Sequence, residues 1–427
     1  MKSTRRDWIR TASFAAVGSM MMPKRLLGGV QNVPEADKQS VRDYEQPLFD
    51  IPSQISSPVV IESIELYKNG SEYFVFTRSK DGAQGLTATK QLTDFIPIFK
   101  SLVAPHFIGR DARNIETLVD DVYRANYKIA GQPFWCPVAY IEQSILDMLG
   151  KVAGKSVAQL CGGKVRDEMD VYLSGAGRNT TAEQEVDVYV KTAALTGAKG
   201  VKFKIGGRMS GNKDAAPGRT DALLKIARKE LGDKMILMAD ANGSYDPYHA
   251  IKVGHLLEEL GYYFFEEPCP WQNYSETQTV ARALKIPVAF GEQDSSLWQF
   301  LWMLDNSVMD IVQPDINYHG GFIRTKRVAK MAEKIGMKII PHNTQTGVTS
   351  VNILQFSGCT PNAEPLMEYP CRGEQKREDW YSPNFIIKEG KIKIPDTPGM
   401  GVAIDSDHIK KSTLVATIDK AKGMSNN

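Results

Sequence analysis

The stretch GVKFKIGG, residues 200–207, belongs to the series of short apolar runs that decides the fold. Successive side chains of a strand point to opposite faces, so Lys202 and Lys204 project together while Val201, Phe203 and Ile205 face the other way. Taken alone, such a pair is typical of a solvated strand end. Its interpretation therefore depends on what the neighbouring runs carry.

Apolar runs alternate with helical patterns from about residue 170 to residue 370. The runs are DVYLSG, VKFKIGG, MILMADANG, YFFEEP, PVAFGEQ, MDIVQPD, MKIIPHN and PLMEYP. Strands separated by helices at this spacing predict an α/β fold built from βα units with a parallel sheet. Seven or eight consecutive right-handed crossovers fit a closed barrel better than an open sheet.

A different texture precedes the barrel pattern. VVIESIELYKNG and SEYFVFTRSKDG predict two strands joined by an Asn69-Gly70 turn, and GLTATK predicts a third strand. RNIETLVDDVYRANY and AYIEQSILDMLGKVAG then have helical spacing of apolar residues. We therefore expect an α+β domain here. The C-terminal piece, IIKEGKIKIPDTPGMGVAID, returns to hairpin and turn chemistry and is expected to pack back onto that domain.

Each barrel run ends in a side chain capable of chemistry. After Lys204 these residues follow one another at intervals of 23 to 27 residues, about one βα unit: Asp240, Glu266, Glu292, Asp315, His342 and Glu368. Catalytic groups of a (β/α)8 barrel lie at the carboxyl ends of its strands. A functional residue at one phase of a repeat therefore predicts an active site at one rim of the barrel.

Three of these residues are carboxylates on consecutive strands. Asp240, Glu266 and Glu292 should converge, and three buried like charges are costly unless a cation lies between them. Oxygen ligands without Cys or His favour a hard divalent ion, and Mg²⁺ suits three carboxylates completed by water and substrate oxygens. The alternative, that each carboxylate caps the following helix, explains one residue but not three in register.

Bases are predicted on both sides of this cluster. Lys204, beside a dication and the Lys202 ammonium group, should have a lowered pKa and act as one base. Asp315, one strand before His342, can hold the imidazole in one tautomer and raise its basicity. Glu368, if kept protonated by its surroundings, could donate a hydrogen bond to an enediolate formed by removing a proton α to a carboxylate.

These residues identify the chain as resembling the enolase superfamily, in its mandelate racemase-like subgroup. KFK at 202–204, ADAN at 239–242, FEEP at 265–268, GE at 291–292, QPDI with Gly320-Gly321, and PHN are similar to the family's base and metal-ligand motifs. The resemblance implies a (β/α)7β modified TIM barrel and an α+β capping domain formed by N-terminal and C-terminal segments. It also implies that Lys202 and Asn242 contact the substrate.

We divide the chain accordingly. The expected segments are 1–30, a signal; 31–58, a linker; 59–168, the N-terminal capping domain; 169–361, the barrel; and 362–427, a C-terminal segment completing the barrel edge and capping domain.

The motifs specify the substrate much less. The resemblance implies either dehydration of a sugar acid to a 2-keto-3-deoxy acid, which we favour, or racemisation or epimerisation of a 2-hydroxy acid or an amino acid derivative. Capping-domain loops near residues 66–72 and 82–90 are expected to select the substrate. A non-catalytic sugar-acid binding protein on the same scaffold, and a metal-independent hydrolase or aldolase using Lys204, remain rival hypotheses.

Bulk properties narrow the remaining classes. A net charge of +2 with no concentrated basic surface argues against nucleic-acid binding. No apolar run is long enough to span a bilayer, so no membrane association is expected of the mature form. The N-terminal STRRDWIR, with Arg5 and Arg6 before a weakly apolar stretch, resembles a twin-arginine export signal and predicts a periplasmic location; otherwise the protein is cytoplasmic. We expect a small-molecule carboxylate as the substrate and a homo-oligomer as the assembled form.

Overall fold

The computed structural model describes residues 40–175 and 177–420. Its strands are β1 (Ile61–Asn69), β2 (Glu72–Ser79), β3 (Gln84–Thr89), β4 (Glu168–Ser174), β5 (Gly200–Lys204), β6 (Ile236–Asp240), β7 (Phe265–Glu266), β8 (Val288–Phe290), β9 (Ile311–Val312), β10 (Lys338–Ile339), β11 (Leu366–Pro370), β12 (Tyr381–Ser382), β13 (Lys391–Lys393), β14 (Ala403–Ile404) and β15 (Thr413–Ile418).

Its α-helices are α1 (Ile51–Gln54), α2 (Ile96–Ile98), α3 (Ala104–Phe107), α4 (Ile115–Asn126), α5 (Gln132–Ala153), α6 (Val157–Leu160), α7 (Ala182–Thr196), α8 (Arg219–Leu231), α9 (Pro247–Glu259), α10 (Tyr274–Ala283), α11 (Leu297–Asp305), α12 (Phe322–Lys334), α13 (Val351–Gly358) and α14 (Ser406–Lys410).

Eight parallel strands form the barrel in the order β10-β9-β8-β7-β6-β5-β4-β11, with β13 added antiparallel to β4. Ile339 closes the ring, because its N–H donates to Asn362 O and its carbonyl accepts from Glu364 N, just before β11. Each parallel strand of the barrel except β11 is followed by one helix, from α7 after β4 to α13 after β10. The predicted (β/α)7β barrel is confirmed.

The interior of the barrel is packed with side chains and is not an open pore. A separate buried cluster with members from seven of the eight parallel strand segments fills it: Tyr172, Met238, Phe264, Ala289, Ile311, Ile340 and Leu366. The apolar residues of the opposite strand faces pack against the surrounding helices in the main core. Because both faces of the strands are packed, the carboxyl ends of these short strands are held at fixed positions.

The capping domain contains a four-stranded antiparallel sheet in the order β15-β1-β2-β3. Its edge strand β15 comes from the C-terminus, so both ends of the chain build this domain, as expected. Helix α5 lies directly on β3: a Cβ atom added at Gly85 would lie 1.9 Å from Ser144 O, so only glycine permits this approach.

The segment before β1 was expected to be a linker. Its described part, from residue 40, is instead packed, since Val41, Phe49 and Ile51 are buried in the main core. The predicted export signal lies outside the described residues. Within the described ranges no helix is long and apolar enough to cross a membrane.

Candidate active site

The strand register brings the predicted residues together at one rim. Asp240 is paired with Lys204 across β5 and β6 and with Glu266 across β6 and β7. A parallel bridge pairs Asp315 with His342 where β9 and β10 end. Residues spaced one βα unit apart in sequence are therefore neighbours around the barrel mouth.

The three carboxylates form a compact acidic centre. One oxygen from each of Asp240, Glu266 and Glu292 lies within 4.8 Å of the others, and the three residues are 0%, 1% and 4% exposed. Glu292 Oε2 accepts no aligned hydrogen bond although it is buried. Oxygen-only ligands at this spacing fit a hard divalent cation.

The two lysines are fully engaged by these acids. Lys202 Nζ donates to both carboxylate oxygens of Glu266 at 2.8 and 2.7 Å, and Lys204 Nζ donates to Asp240. Burial disfavours the ammonium form of Lys202, but the adjacent carboxylates raise its pKa well above the ordinary value. Lys202 is therefore a fixed positive charge at the centre of the barrel.

The pKa of Lys204 differs from the expectation. Burial and Lys202 lower it, yet the attraction of Asp240 prevails and raises it above the ordinary value. The protein groups alone therefore do not make Lys204 a base at neutral pH. The predicted lowering requires the charge of a bound cation, because only a cation would compensate Asp240 in place of the ammonium group.

His342 lies between two carboxylates. Its Nδ1 is 2.9 Å from Asp315 Oδ2 and its Nε2 is 3.2 Å from Glu292 Oε2. Burial lowers the pKa of the imidazole, but Glu292 and the hydrogen bond to Asp315 raise it to about 10. Asp315 is itself fixed, since its Oδ1 accepts the N–H groups of Asn317 and Tyr318 at 2.7 and 3.0 Å.

Glu368 corrects one expectation. It was expected to donate a hydrogen bond if its surroundings keep it protonated, but its Oε1 lies 2.9 Å from Lys202 Nζ and its Oε2 accepts Asn343 N at 3.1 Å. Burial would raise its pKa, yet Lys202 and His342 lower it below the ordinary value. Glu368 is therefore an ionised acceptor in this arrangement.

Asn242 is held by protein groups on both sides. Its backbone adopts φ +43°, and its Nδ2 donates to Asp240 and to Glu267 at 3.3 and 3.2 Å. Arg178 donates to its Oδ1 at 3.0 Å and caps the carbonyls that follow β5. Asn242 thus orients Asp240, and the contact with the substrate that the resemblance implied stays a prediction.

Several amides at the same rim were not predicted. Gln313 Nε2 donates to Glu266 at 3.2 Å, and Gln293 Nε2 donates to Glu292 at 2.7 Å. Gln91, which follows β3, donates to Tyr318 Oη at 3.2 Å, and the Tyr318 ring lies 6.1 Å from that of His342. Glutamine carries no charge, so only the adjacency of Gln313 and Gln293 to Asp315 and Glu292 in sequence could have indicated them.

A cavity of about 270 Å³ lies beside this rim. Lys90 and Glu72 of the capping sheet form one wall, and Thr346, Tyr369 and Trp380 belong to the barrel side and the C-terminal segment. Glu72 and Lys90 are the last residues of the two loops expected to select the substrate, and the role of these loops in specificity stays a prediction.

Two family models match the chain. Enolase C-terminal domain-like matches residues 185–408, and the mandelate racemase / muconate lactonizing enzyme N-terminal domain matches residues 55–162. The first covers the barrel from α7 onward and the second covers most of the capping domain.

Characterised relatives act on sugar-derived acids by name. An arabinonate dehydratase of Saccharolobus solfataricus is 27% identical over 311 residues, which are 71% of this chain and 80% of that protein. A D-galactarolactone cycloisomerase of Agrobacterium fabrum is 30% identical over 313 residues, covering 70% and 80%.

The fold is also shared with solved structures. A mandelate racemase/muconate lactonizing protein from Paracoccus denitrificans, solved with magnesium, superimposes with a TM-score of 0.75 at 24% identity and covers 84% of this chain and 98% of that one. Fold, motifs and family models agree: the chain belongs to the enolase superfamily, in its mandelate racemase-like subgroup.

Proposed function

We propose that the protein is a Mg²⁺-dependent acid-sugar dehydratase. It removes the proton α to the carboxylate of a sugar acid and expels the β-hydroxyl group to give a 2-keto-3-deoxy acid. The observation that carries this proposal is the buried carboxylate cluster with Lys204 at one strand end and the Asp315–His342 pair beyond its far member, Glu292. The dehydratase names of the relatives support the sugar-acid substrate.

Asp240, Glu266 and Glu292 would hold the cation. Bound Mg²⁺ supplies the charge that neutralises a substrate carboxylate and makes the adjacent carbon acidic enough to deprotonate. Lys202, fixed and charged at the barrel centre, adds positive potential where the enediolate forms. The Gln313 amide keeps Glu266 oriented.

The remaining residues move protons. Lys204 takes the α-proton, because a cation bound beside Asp240 would lower its pKa, whereas His342 already carries a proton at neutral pH. The imidazolium of His342 then gives a proton from Nε2 to the β-hydroxyl group, which leaves as water while the enol becomes a ketone. A His342 pKa of about 10 keeps this acid loaded at neutral pH, and Asp315 holds the ring in place.

Unsatisfied amide oxygens support a substrate with many hydroxyl groups. Gln91 Oε1 and Gln345 Oε1 are buried without a hydrogen-bond donor, and the Nε2 atoms of both residues donate to Thr344. Buried acceptors without partners are rare in folded proteins. Hydroxyl groups of a sugar acid are donors of the right kind for this part of the rim.

Racemisation or epimerisation is the second candidate, because Lys204 and His342 lie at different strand ends around the same carboxylates. In that reaction one base removes the α-proton and the other returns a proton to the opposite face. The hydroxyl group then stays on the substrate, so the two reactions give different products.

The test is a screen of aldonic, uronic and aldaric acids with Mg²⁺, in which semicarbazide detects 2-keto products. We expect a keto product from at least one sugar acid with the wild-type protein and none with Glu266→Gln. Glu116→Gln is the matched control, because Glu116 is buried away from the rim and accepts the N–H groups of Leu48 and Phe49. Exchange of the α-proton without a keto product would favour the racemase. If neither exchange nor a keto product is observed with any acid, both candidate functions are refuted.

Export and assembly follow as smaller proposals. Arg5 and Arg6 support export by the twin-arginine route, and replacing both with Lys should retain the protein in the cytoplasmic fraction. Trp298 and Trp302, one turn apart on α11 and 55% and 48% exposed, support a homo-oligomer. Light scattering of the wild type and of Trp298→Glu would test the assembly.

A further inference from the structure

The capping domain reaches into the barrel segment that carries Asp315. Helix α5 contacts residues 317–324 from two positions about two turns apart. Trp135 stacks on the Arg324 guanidinium at 3.6 Å, and Glu142 accepts the N–H groups of Phe322 and Ile323 at 2.6 and 2.9 Å. A Cβ atom at Gly321 would lie 2.1 Å from Glu142 Oε2. This segment is therefore shaped to fit α5.

The next residue of α5, Gln143, contacts the segment that carries the Asp315–His342 pair. Gln143 is 2% exposed, and its Nε2 donates to Asn317 Oδ1 at 3.0 Å. Its Oε1 accepts Thr87 Oγ1 of β3 at 3.2 Å, so the amide is fixed from the capping sheet. Asn352 Nδ2 donates to the same Asn317 oxygen at 3.1 Å from the barrel side.

Asn317 then acts on Asp315 through its backbone. Its N–H donates to Asp315 Oδ1 at 2.7 Å, while Asp315 Oδ2 bonds His342 Nδ1 at 2.9 Å. Through the side chain and backbone of Asn317, these hydrogen bonds connect the capping domain to the candidate base in the order Thr87–Gln143–Asn317–Asp315–His342.

We infer that Gln143 is a positioning residue that couples the capping domain to the Asp315–His342 pair through Asn317. The inference rests on the proposed function, in which His342 moves protons. A misplaced Asp315 would leave the imidazole free to rotate, and displacements of a catalytic group by about 1 Å can cost roughly 100-fold in rate. The capping domain would thereby set the geometry of the chemistry as well as select the substrate.

The first test needs no substrate. Gln143→Met keeps the side-chain length and removes both hydrogen bonds, and Ser144→Ala is the matched control. Ser144 is also fully buried on α5, but its hydroxyl bonds Thr77 and Ile141 O, away from the Asp315 segment. Deuterium uptake of the peptide spanning residues 313–323 should rise in Gln143→Met by roughly tenfold in rate and stay unchanged in Ser144→Ala. Equal uptake in the two variants overturns the inference.

The second test is kinetic. Gln143→Met and Asn317→Ala should each lower kcat roughly tenfold, with KM within about twofold of wild type. The double variant should be no slower than the slower single one, since both act through one chain. If the kcat losses of the two single variants multiply in the double variant, the residues do not act through one chain. An equal kcat loss in Gln143→Met and Ser144→Ala, at equal Tm, would show that Gln143 has only a structural role. If Gln143→Met does not fold, Asn317→Ala provides the test. If the wild type shows no α-proton exchange, the proposed function is refuted, and the deuterium uptake still tests the role of Gln143.

Discussion

The acidic centre predicts that Glu292→Gln loses most of the stabilisation by Mg²⁺. Two unit charges 4.8 Å apart repel by about 3.5 kcal/mol at an effective dielectric constant of about 20. Without a cation, Lys202 and Lys204 offset this repulsion through their ion pairs with the other two carboxylates. The His342 imidazolium, 3.2 Å from Glu292, offsets it for the third.

Two conditions separate the repulsion from the role as a ligand. With a chelator present, Glu292→Gln loses both the repulsion and the ion pair with His342, so its stability should differ from that of the wild type by no more than about 3.5 kcal/mol. With Mg²⁺ at one hundred times its Kd, the wild type should gain about 2.7 kcal/mol, and the variant, lacking one ligand, should gain much less. Mg²⁺ should therefore shift the stability difference in favour of the wild type.

Urea unfolding of both proteins in chelator and in Mg²⁺ measures this directly, with Glu116→Gln as a control that should keep the full Mg²⁺ effect. If Glu292→Gln differs from the wild type in chelator by more than about 3.5 kcal/mol, the charges of the centre are not balanced as described. If it keeps the full gain with Mg²⁺, Glu292 is not a ligand.

Three further results are expected. The pKa of His342 is raised from 6.5 to about 10 in the folded protein, so the stabilisation that its protonation contributes is complete below pH 6.5 and is lost as pH rises through 10. In chelator, the free energy of unfolding should therefore fall by up to about 1.4 kcal/mol per pH unit between these values. His342→Asn should remove this slope. Asp315→Asn should lower the pKa of His342, as measured by NMR of the imidazole, and reduce kcat by roughly 100-fold or more; an unchanged pKa would contradict the role of Asp315. If the protein is a racemase, Lys204→Met should stop removal of the α-proton from one epimer of the substrate, while the other epimer still exchanges its α-proton in D₂O. Loss of exchange from both epimers would show that Lys204 does not serve one face of the substrate alone.

The sequence predicted the barrel and the rim because each βα unit carries one acidic or basic side chain at the end of its strand. Asp240, Glu266 and Glu292 could be found without a structure, since convergence follows from parallel strands alone. The ionisation states could not. Lys202 was assigned to the substrate, but its contacts with Glu266 and Glu368 depend on side-chain reach across the barrel.

Contacts between the two domains were equally out of reach. Glu142 and Gln143 appear in sequence as ordinary residues of an amphipathic helix, and only packing shows that they meet residues about 180 positions later. The packed segment around Phe49 was mistaken for a linker because its apolar residues lack strand or helix periodicity.

Removal of the proton α to a carboxylate at this rim is the step on which the proposed function depends. It can be followed by NMR of a sugar acid incubated in D₂O with Mg²⁺ and either the wild type or Glu266→Gln. We expect the α-proton signal to disappear and a 2-keto-3-deoxy acid to form only with the wild type. An α-proton that stays in place for every sugar acid tested, or that is lost equally with Glu266→Gln, would refute this step.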